Sequence, residues 1–113
     1  MLYVALPEEK IRKVSFYLAM EEFVARNVTA DDCLFYWQVE PSVVFGRNQL
    51  VSNEVNVDYC RSHGIGMFRR KSGGGCVYAD NDNVMFSFIT GGDNVGLTFN
   101  RYMQMMVLML RRM

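Results

Sequence analysis

The chain has 113 residues, half of them hydrophobic and 13% aromatic, so it has the apolar surface for one packed domain and no compositional sign of disorder. Its 12 Lys plus Arg residues balance 12 Asp plus Glu residues. A net charge of zero excludes the broad cationic field that non-specific nucleic-acid binding requires, so we expect no nucleic-acid partner.

The first half of the chain predicts one long helix followed by two buried strands. Residues 7–27 suit a helix because Pro7 fits a first turn, acidic residues follow it, and no glycine interrupts. Glu21 falls within the apolar face of this helix, where a structural role, satisfied by backbone or a nearby arginine, is favoured over that of a catalytic acid. The apolar runs 33–39 and 43–45 predict central strands joined by a turn.

A short helix is predicted next, from a cap at Asn56 through His63, with Gly64 just past its end. His63 is the only histidine, and a role as partner of the helix C-terminus is favoured over one as catalytic base. After a Gly91-to-Asn94 loop, Thr98 is expected to cap a last helix. One face of that helix is expected to be core: Phe99, Tyr102, Met103, Met106, Val107 and Leu110.

Between those helices, strand segments at 67–70 and 75–78 flank a glycine run. A polar turn over residues 80–83 is expected to join the second segment to a strand at 84–90 as a hairpin. Interleaved helices and strands favour an α+β or mixed α/β domain spanning residues 1–113, without an internal repeat or a linker.

Cysteine usage and hydropathy bear on location. Cys33, Cys60 and Cys76 form an odd set without CxxC spacing, which argues against a disulfide framework and against a zinc site. Acidic residues stand where a signal peptide carries its apolar stretch, and the longest apolar run, 105–110, falls far short of the ~20 residues of a membrane span. We expect a cytoplasmic protein with no membrane contact and no metal site.

The segment with the most chemical information is residues 69–78, RRKSGGGCVY. Glycines allow backbone N–H groups to approach an anion closely, and arginine offers a planar fork for phosphate or carboxylate oxygens. The lysine precedes the glycines, so this is no P-loop. Composition alone leaves open a flexible loop with solvated charges.

Four ordered motifs carry a family resemblance. Residues 69–78 resemble the Arg-Arg-x-Ser-Gly-Gly-Gly-x-Val-Tyr/Phe signature of lipoate-protein ligases, and residues 41–49, PSVVFGRNQ, resemble the family's PxVVxGRxQ strand and turn. Residues 18–22, LAMEE, look like its first-helix LAxEE. The strand after the loop resembles N-x-x-F-S/T-F, through Asn83, Phe86, Ser87 and Phe88.

The resemblance implies the catalytic-domain fold of biotin and lipoate ligases, a mixed, mostly antiparallel sheet with packed helices, represented by its N-terminal part. It implies ATP-dependent activation of lipoate to lipoyl-AMP, usually with Mg²⁺, and lipoyl transfer to a lysine of a carrier domain. The implied carriers are lipoyl domains of 2-oxoacid dehydrogenase complexes or the glycine cleavage H protein.

The same resemblance implies which residues bind. Arg70 is expected to hold phosphate oxygens, and Trp37 either flanks the lipoyl tail or packs in the core. Arg70 and Lys71 are neighbours in a predicted strand, so their side chains are expected to point to opposite faces and only one can face the ligand. The expected nucleotide and lipoyl-AMP contacts are Arg70, Ser72, Gly73, Gly74, Gly75, Cys76, Val77, Tyr78 and Asn83.

Two departures from the family pattern limit the transfer of function. Ala79 stands where the family commonly has a histidine, and the family's catalytic lysine lies downstream of Met113, so no catalytic residue is assigned here. We expect a truncated domain that is inactive alone and that self-associates through its last helix.

Two rival functions stay open. One is an octanoyl- or lipoyl-transferase that uses Cys76 as an acyl carrier, for which the competing reading is a buried cysteine acting as small filler. The other is a non-catalytic module that binds lipoyl-adenylate.

Overall fold

The structure, a computed structural model, describes residues 1–6, 8, 10–28, 32–92 and 94–113. Helices and strands interleave along this part of the chain, which confirms the α+β class. The elements are β1 (Leu2–Tyr3), α1 (Val14–Asn27), β2 (Cys33–Trp37), β3 (Ser42–Phe45), α2 (Val51–Glu54), α3 (Val57–Ser62), β4 (Gly66–Arg69), β5 (Val77–Ala79), β6 (Met85–Ile89) and α4 (Val95–Arg111).

The described strands form two three-stranded sheets, each with one parallel and one antiparallel pair. The first has the order β1-β2-β6, and the second has the order β4-β3-β5. The prediction that the two apolar runs are central strands is confirmed, since β2 and β3 each lie in the middle of a sheet. All four residues of β3 are buried, as expected of a central strand with an unbroken apolar sequence.

Aromatic and branched side chains fill the core between α1 and the sheets. The rings of Tyr17 and Trp37 stack with their centroids 4.7 Å apart. A second, smaller cluster of Val43, Phe45 and Cys60 lies between β3 and α3. The main cluster comprises Val14, Tyr17, Phe35, Trp37, Val39, Val44 and Ala79.

Helix α1 begins at Val14, so the prediction of a helix from residue 7 is wrong for Glu8 and for residues 10–13, while Pro7 and Glu9 lie outside the described residues. Arg12 instead forms an isolated parallel bridge with Val39, and Lys13 is extended with a ψ of 149°. Pairing with a distant segment thus outweighs the local helix propensity of these residues.

The predicted hairpin between 75–78 and 84–90 is also wrong. Strand β5 pairs with β3, whereas β6 pairs with β2 over five residues. The polar turn itself is present, because the backbone N–H of Asp80 donates to the Asn83 side chain at 2.9 Å and the Asn83 N–H donates to the Asp80 carbonyl at 3.0 Å. This turn carries the chain from one sheet to the other.

The prediction of an Asn56 cap is confirmed. Its side chain accepts from the Tyr59 N–H at 3.0 Å, and Gly64 follows the helix with a φ of +65°. His63 ends α3 with its ring stacked on Tyr59 at 3.8 Å between centroids and its Nδ1 2.9 Å from the Tyr59 carbonyl oxygen, which fits a role at the helix end.

The cap of the last helix differs from prediction. Asn94, rather than Thr98, is the N-cap, and it accepts from the Leu97 N–H at 3.0 Å. Thr98 lies within the first turn and donates to the Asn94 carbonyl at 2.9 Å. Asp93, in the loop before the cap, lies outside the described residues.

Helix α4 is attached to the first sheet mainly through Tyr102, the only residue of this helix that is buried. The Tyr102 ring stacks on Phe88 at 4.6 Å, and its hydroxyl donates to Asp32 at 2.7 Å. Thr90 also donates to this carboxylate, and the two hydrogen bonds lower the pKa of Asp32. The rest of the expected core face is exposed except for the half-buried Met106. No helix in the described ranges is long and apolar enough to span a membrane.

Candidate functional site

Residues 69–78, hereafter the glycine segment, connect β4 to β5 and are held first by Arg69. Its Nη1 donates to the carbonyl oxygens of Gly46, Arg47 and Gln49 at 3.1, 3.1 and 2.8 Å. The guanidinium also lies over the Phe45 ring at 4.6 Å. Arg69 therefore fastens the start of the segment to the turn after β3.

Arg70 folds the glycine segment around its own guanidinium. Its Nη2 donates to the carbonyl oxygens of Gly73 and Gly75, both at 2.7 Å, and its Nη1 donates to Val44 at 3.2 Å. The donors expected to hold phosphate are thus directed at backbone in this structure. Arg70 shapes the segment and adds positive charge to it.

Gly46 and Gly74 bring the two longest sequence motifs into contact. A Cβ on Gly46 would lie 2.2 Å from the Gly74 carbonyl oxygen, and Gly74 has a φ of +94°, which favours glycine. The Arg47 N–H also donates to the Ser72 carbonyl at 2.8 Å. Sequence analysis did not assign Gly46 a role, although it stands within the matched 41–49 motif.

Lys71 connects the glycine segment to α1. Its Nζ pairs with Oε2 of Glu22, while Nη2 of Arg26 pairs with Oε1 of the same carboxylate at 2.6 Å. The hydrogen bond from Lys71, its charge and the charge of Arg26 lower the pKa of Glu22. The sequence gave no sign of this cluster beyond the charges themselves.

The strand on which the prediction of opposite faces for Arg70 and Lys71 rests does not include these residues. Arg70 donates to carbonyls of its own segment and of β3, whereas Lys71 pairs with Glu22. Strand β4 ends at Arg69, so strand alternation does not extend to these two residues, and both line the cavity between α1, the glycine segment and β6.

Glu21 also lines this cavity, with a hydroxyl as its partner. Trp37 Nε1–H donates to the Ser87 oxygen at 2.9 Å, and the Ser87 O–H donates to Oε1 of Glu21 at 2.5 Å. Burial raises the pKa of Glu21, and the Ser87 hydrogen bond acts in the opposite direction. The favoured structural role fits this geometry, although the partner is neither backbone nor arginine. Trp37 packs in the core.

The cavity between α1, the glycine segment and β6 has a volume of about 940 Å³. Its lining combines apolar and charged side chains. The exposed side of the cavity, hereafter its mouth, carries the cations Lys71 and Arg26 and the carboxylate of Glu22. The apolar lining comes from Leu18, Ala19, Phe68, Phe86, Phe88 and Ile89, and the cationic lining comes from Arg26, Arg69, Arg70 and Lys71. Such a cavity suits a ligand with an apolar tail and an anionic head.

The expected site residues divide between two cavities. Arg70 and Ser72 line the 940 Å³ cavity, whereas Gly75, Cys76 and Tyr78 line a neighbouring one of about 680 Å³. Four expected residues line neither cavity: Gly73, Gly74, Val77 and Asn83. The two cavities share no lining residue.

Three of the expected positions take part in local packing or hydrogen bonding. Cys76 is half-buried against the cluster of Val43, Phe45 and Cys60, which fits the small-filler reading. Asn83 holds the Asp80 turn, and the Tyr78 hydroxyl donates to Asp80 at 3.2 Å.

The described residues around the larger cavity do not form a magnesium site of their own. The acids that line it are already paired, Glu21 with Ser87 and Glu22 with Lys71 and Arg26. Within the described ranges, no group of three or more His, Cys, Asp or Glu side chains could hold a metal ion.

Comparison with known proteins gives consistent results. A family model described as the lipoyl protein ligase A/B catalytic domain matches residues 13–113. Lipoate–protein ligase 1 of Staphylococcus aureus is 44% identical over 86 residues, which are 75% of this chain and 26% of that protein. The chain thus spans about a quarter of this relative's length.

Solved structures agree in fold. A lipoate-protein ligase A bound with ATP superposes with a TM-score of 0.68 at 32% identity, covering 74% of this chain and 35% of that one. A bi-partite lipoate protein ligase of Thermoplasma acidophilum, studied with its E2 lipoyl domain, gives a TM-score of 0.68 at 32% identity over 78% of this chain and 36% of that one.

Proposed function

Because the chain belongs to the lipoyl protein ligase A/B catalytic domain family, we propose that it forms the lipoyl- and nucleotide-binding part of a lipoate-protein ligase. The whole enzyme activates lipoate with ATP to lipoyl-AMP and transfers the lipoyl group to a lysine of a carrier protein.

The observation that carries this proposal is the cavity whose lining combines apolar side chains with cations. Phe68, Phe86 and Leu18 offer a surface for the aliphatic tail, and Lys71 and Arg70 lie where the carboxylate would enter. The nucleotide is proposed to bind along the glycine segment, through Gly75, Cys76 and Tyr78.

The chemistry explains why cations are needed at this mouth. A lipoate carboxylate oxygen attacks the α-phosphorus of ATP, the bond to pyrophosphate breaks, and lipoyl-AMP forms. A lysine amine of the carrier then attacks the acyl carbon, AMP leaves, and the amine proton passes to solvent. The first step brings two anions together, so fixed positive charge from Arg70 and Lys71 lowers its cost.

The carrier is proposed to be a lipoyl domain, with the E2 lipoyl domain of the Thermoplasma system as the nearest support. Lipoyl domains of 2-oxoacid dehydrogenase complexes and the glycine cleavage H protein are the candidate classes. A cytoplasmic location belongs to the same proposal, since the three cysteines form an odd set without CxxC spacing.

Calorimetric titration with a non-hydrolysable lipoyl-AMP analogue tests the proposal. We expect one molecule bound per chain, with lipoate competing for the site. Absence of binding by both compounds would contradict the assignment.

The 113-residue polypeptide is further proposed to self-associate through α4. Apart from the anchoring Tyr102, its apolar residues face outward on several sides, among them Phe99, Met103, Leu108 and Leu110, and an apolar patch of this kind favours a second copy as cover. Light scattering should show a dimer or larger species, and Leu108→Glu should shift it toward monomer. A monodisperse wild-type monomer would contradict this.

A further inference from the structure

A carboxylate of the protein itself stands at the mouth of the larger cavity. Glu22 lines this cavity, and its two oxygens are held by different cations, Lys71 from the glycine segment and Arg26 from α1. Glu22 and Lys71 lie 49 residues apart in the chain, so this ion pair joins two separate walls. A ligand carboxylate would enter against a negative charge already paired with the local cations.

The cations at the mouth differ in how easily they can change partner. Arg70 donates to three carbonyl oxygens that shape the glycine segment, so releasing it would leave those groups unpaired. Lys71 has a side chain 85% exposed, and Glu22 is the partner of its ammonium. An exposed ion pair contributes little net free energy, so exchange of its anion is inexpensive.

We propose that Glu22 occupies the place of the ligand's anionic group while the site is empty, and that the incoming carboxylate displaces it from Lys71. This inference rests on the proposed function, because it names how the same cavity receives lipoate. Arg26 stays paired with Glu22 after the exchange. This ion pair keeps the displaced carboxylate against α1 and away from the entering ligand. Lys71 then becomes a ligand contact.

Competition of this kind predicts the direction in which the ligand affinity of a variant changes. Removing the charge of Glu22 should tighten binding of an anion, although the change deletes an ion pair of the protein. One unit charge at contact distance in a solvated site changes affinity by about three- to fivefold. The change should be confined to ligands that carry the charge.

Titration calorimetry with lipoate and with lipoamide, its neutral amide, tests the exchange. For lipoate, Glu22→Gln should lower the Kd by about three- to fivefold, and Lys71→Gln should raise it by a similar factor. Lipoamide affinity should be unchanged in both variants. Glu8→Gln is the matched control, because it deletes the exposed Glu8–Lys10 ion pair, which does not line this cavity, and it should change neither titration.

The double variant identifies Lys71 as the group for which Glu22 competes. In the Lys71→Gln background, the gain from Glu22→Gln should shrink to less than half. An undiminished gain, an unchanged or raised lipoate Kd in Glu22→Gln, or an equal change for lipoamide would each overturn the exchange. If the wild-type chain bound neither lipoate nor lipoamide, the proposed function itself would fail, which is a different outcome.

Discussion

Replacing Gly46 with alanine tests whether the turn after β3 and the glycine segment pack as closely as described. The added Cβ would lie 2.2 Å from the carbonyl oxygen of Gly74 and 3.2 Å from its carbonyl carbon. Both atoms belong to the backbone, so no side-chain rotation relieves the clash. The two segments have to separate.

The magnitude follows from two contributions. Overpacking a tight contact costs ~1–3 kcal/mol. Separation also breaks the hydrogen bond from the Arg47 N–H to the Ser72 carbonyl, 2.8 Å long, which contributes ~0.5–1.5 kcal/mol. We therefore expect Gly46→Ala to lower the free energy of unfolding by about 2–4 kcal/mol.

Urea denaturation followed by circular dichroism measures this loss. Gly73→Ala is the control in the same segment, since a Cβ there meets no heavy atom within 4 Å, and its effect should stay below ~0.5 kcal/mol. Equal denaturation midpoints for Gly46→Ala and wild type would refute the close contact and the reasoning built on it.

Three further predictions concern the site. Gly75→Val should abolish binding of the lipoyl-AMP analogue with little change in stability, because a Cβ at Gly75 has open space. Gly74→Val should lose both binding and stability, because Gly74 has a φ of +94°. Retained binding in Gly75→Val would show that the segment is only a spacer. Arg70→Ala should weaken analogue binding by ~1.5–3 kcal/mol in calorimetry. Arg70→Lys should not restore the affinity, because one ammonium cannot replace a guanidinium that donates to three carbonyls. Unchanged affinity in Arg70→Ala would remove Arg70 from the site. Burial raises the pKa of Glu21 above its ordinary 4.5, so its contribution to stability is present below that value and is lost as pH rises through the folded-state pKa. Glu21→Gln should therefore become progressively more stable than wild type above pH 4.5 in denaturant titrations, and a pH-independent difference would contradict the raised pKa.

Local patterns in the sequence predicted those parts of the fold that local physics determines. The apolar runs identified β2 and β3 as central strands. Asn56 predicted the start of α3, because its side chain can cap the helix N-terminus. Alternation and turn chemistry could not reveal which strand pairs with which. The turn at residues 80–83 was correctly predicted, but β5 and β6 join different sheets.

The candidate site shows the same division. The motif match located the glycine segment, but the side-chain roles within it depend on contacts across long sequence distances. Arg70 turned toward the carbonyls of its own segment, and Lys71 reached Glu22 on α1. Position 46 requires a glycine because the backbone of Gly74, far along the chain, packs against it. No single segment of sequence carries that information.

Titration of the isotopically labelled chain with lipoate, followed by amide chemical shifts in NMR, tests whether the larger cavity is the lipoate site. We expect saturable shifts that are largest at Leu18, Lys71 and Ser87, which line the cavity of about 940 Å³. Shifts concentrated instead at Met103 and Met106, in the separate apolar groove beside α4, would contradict it, as would the absence of shifts.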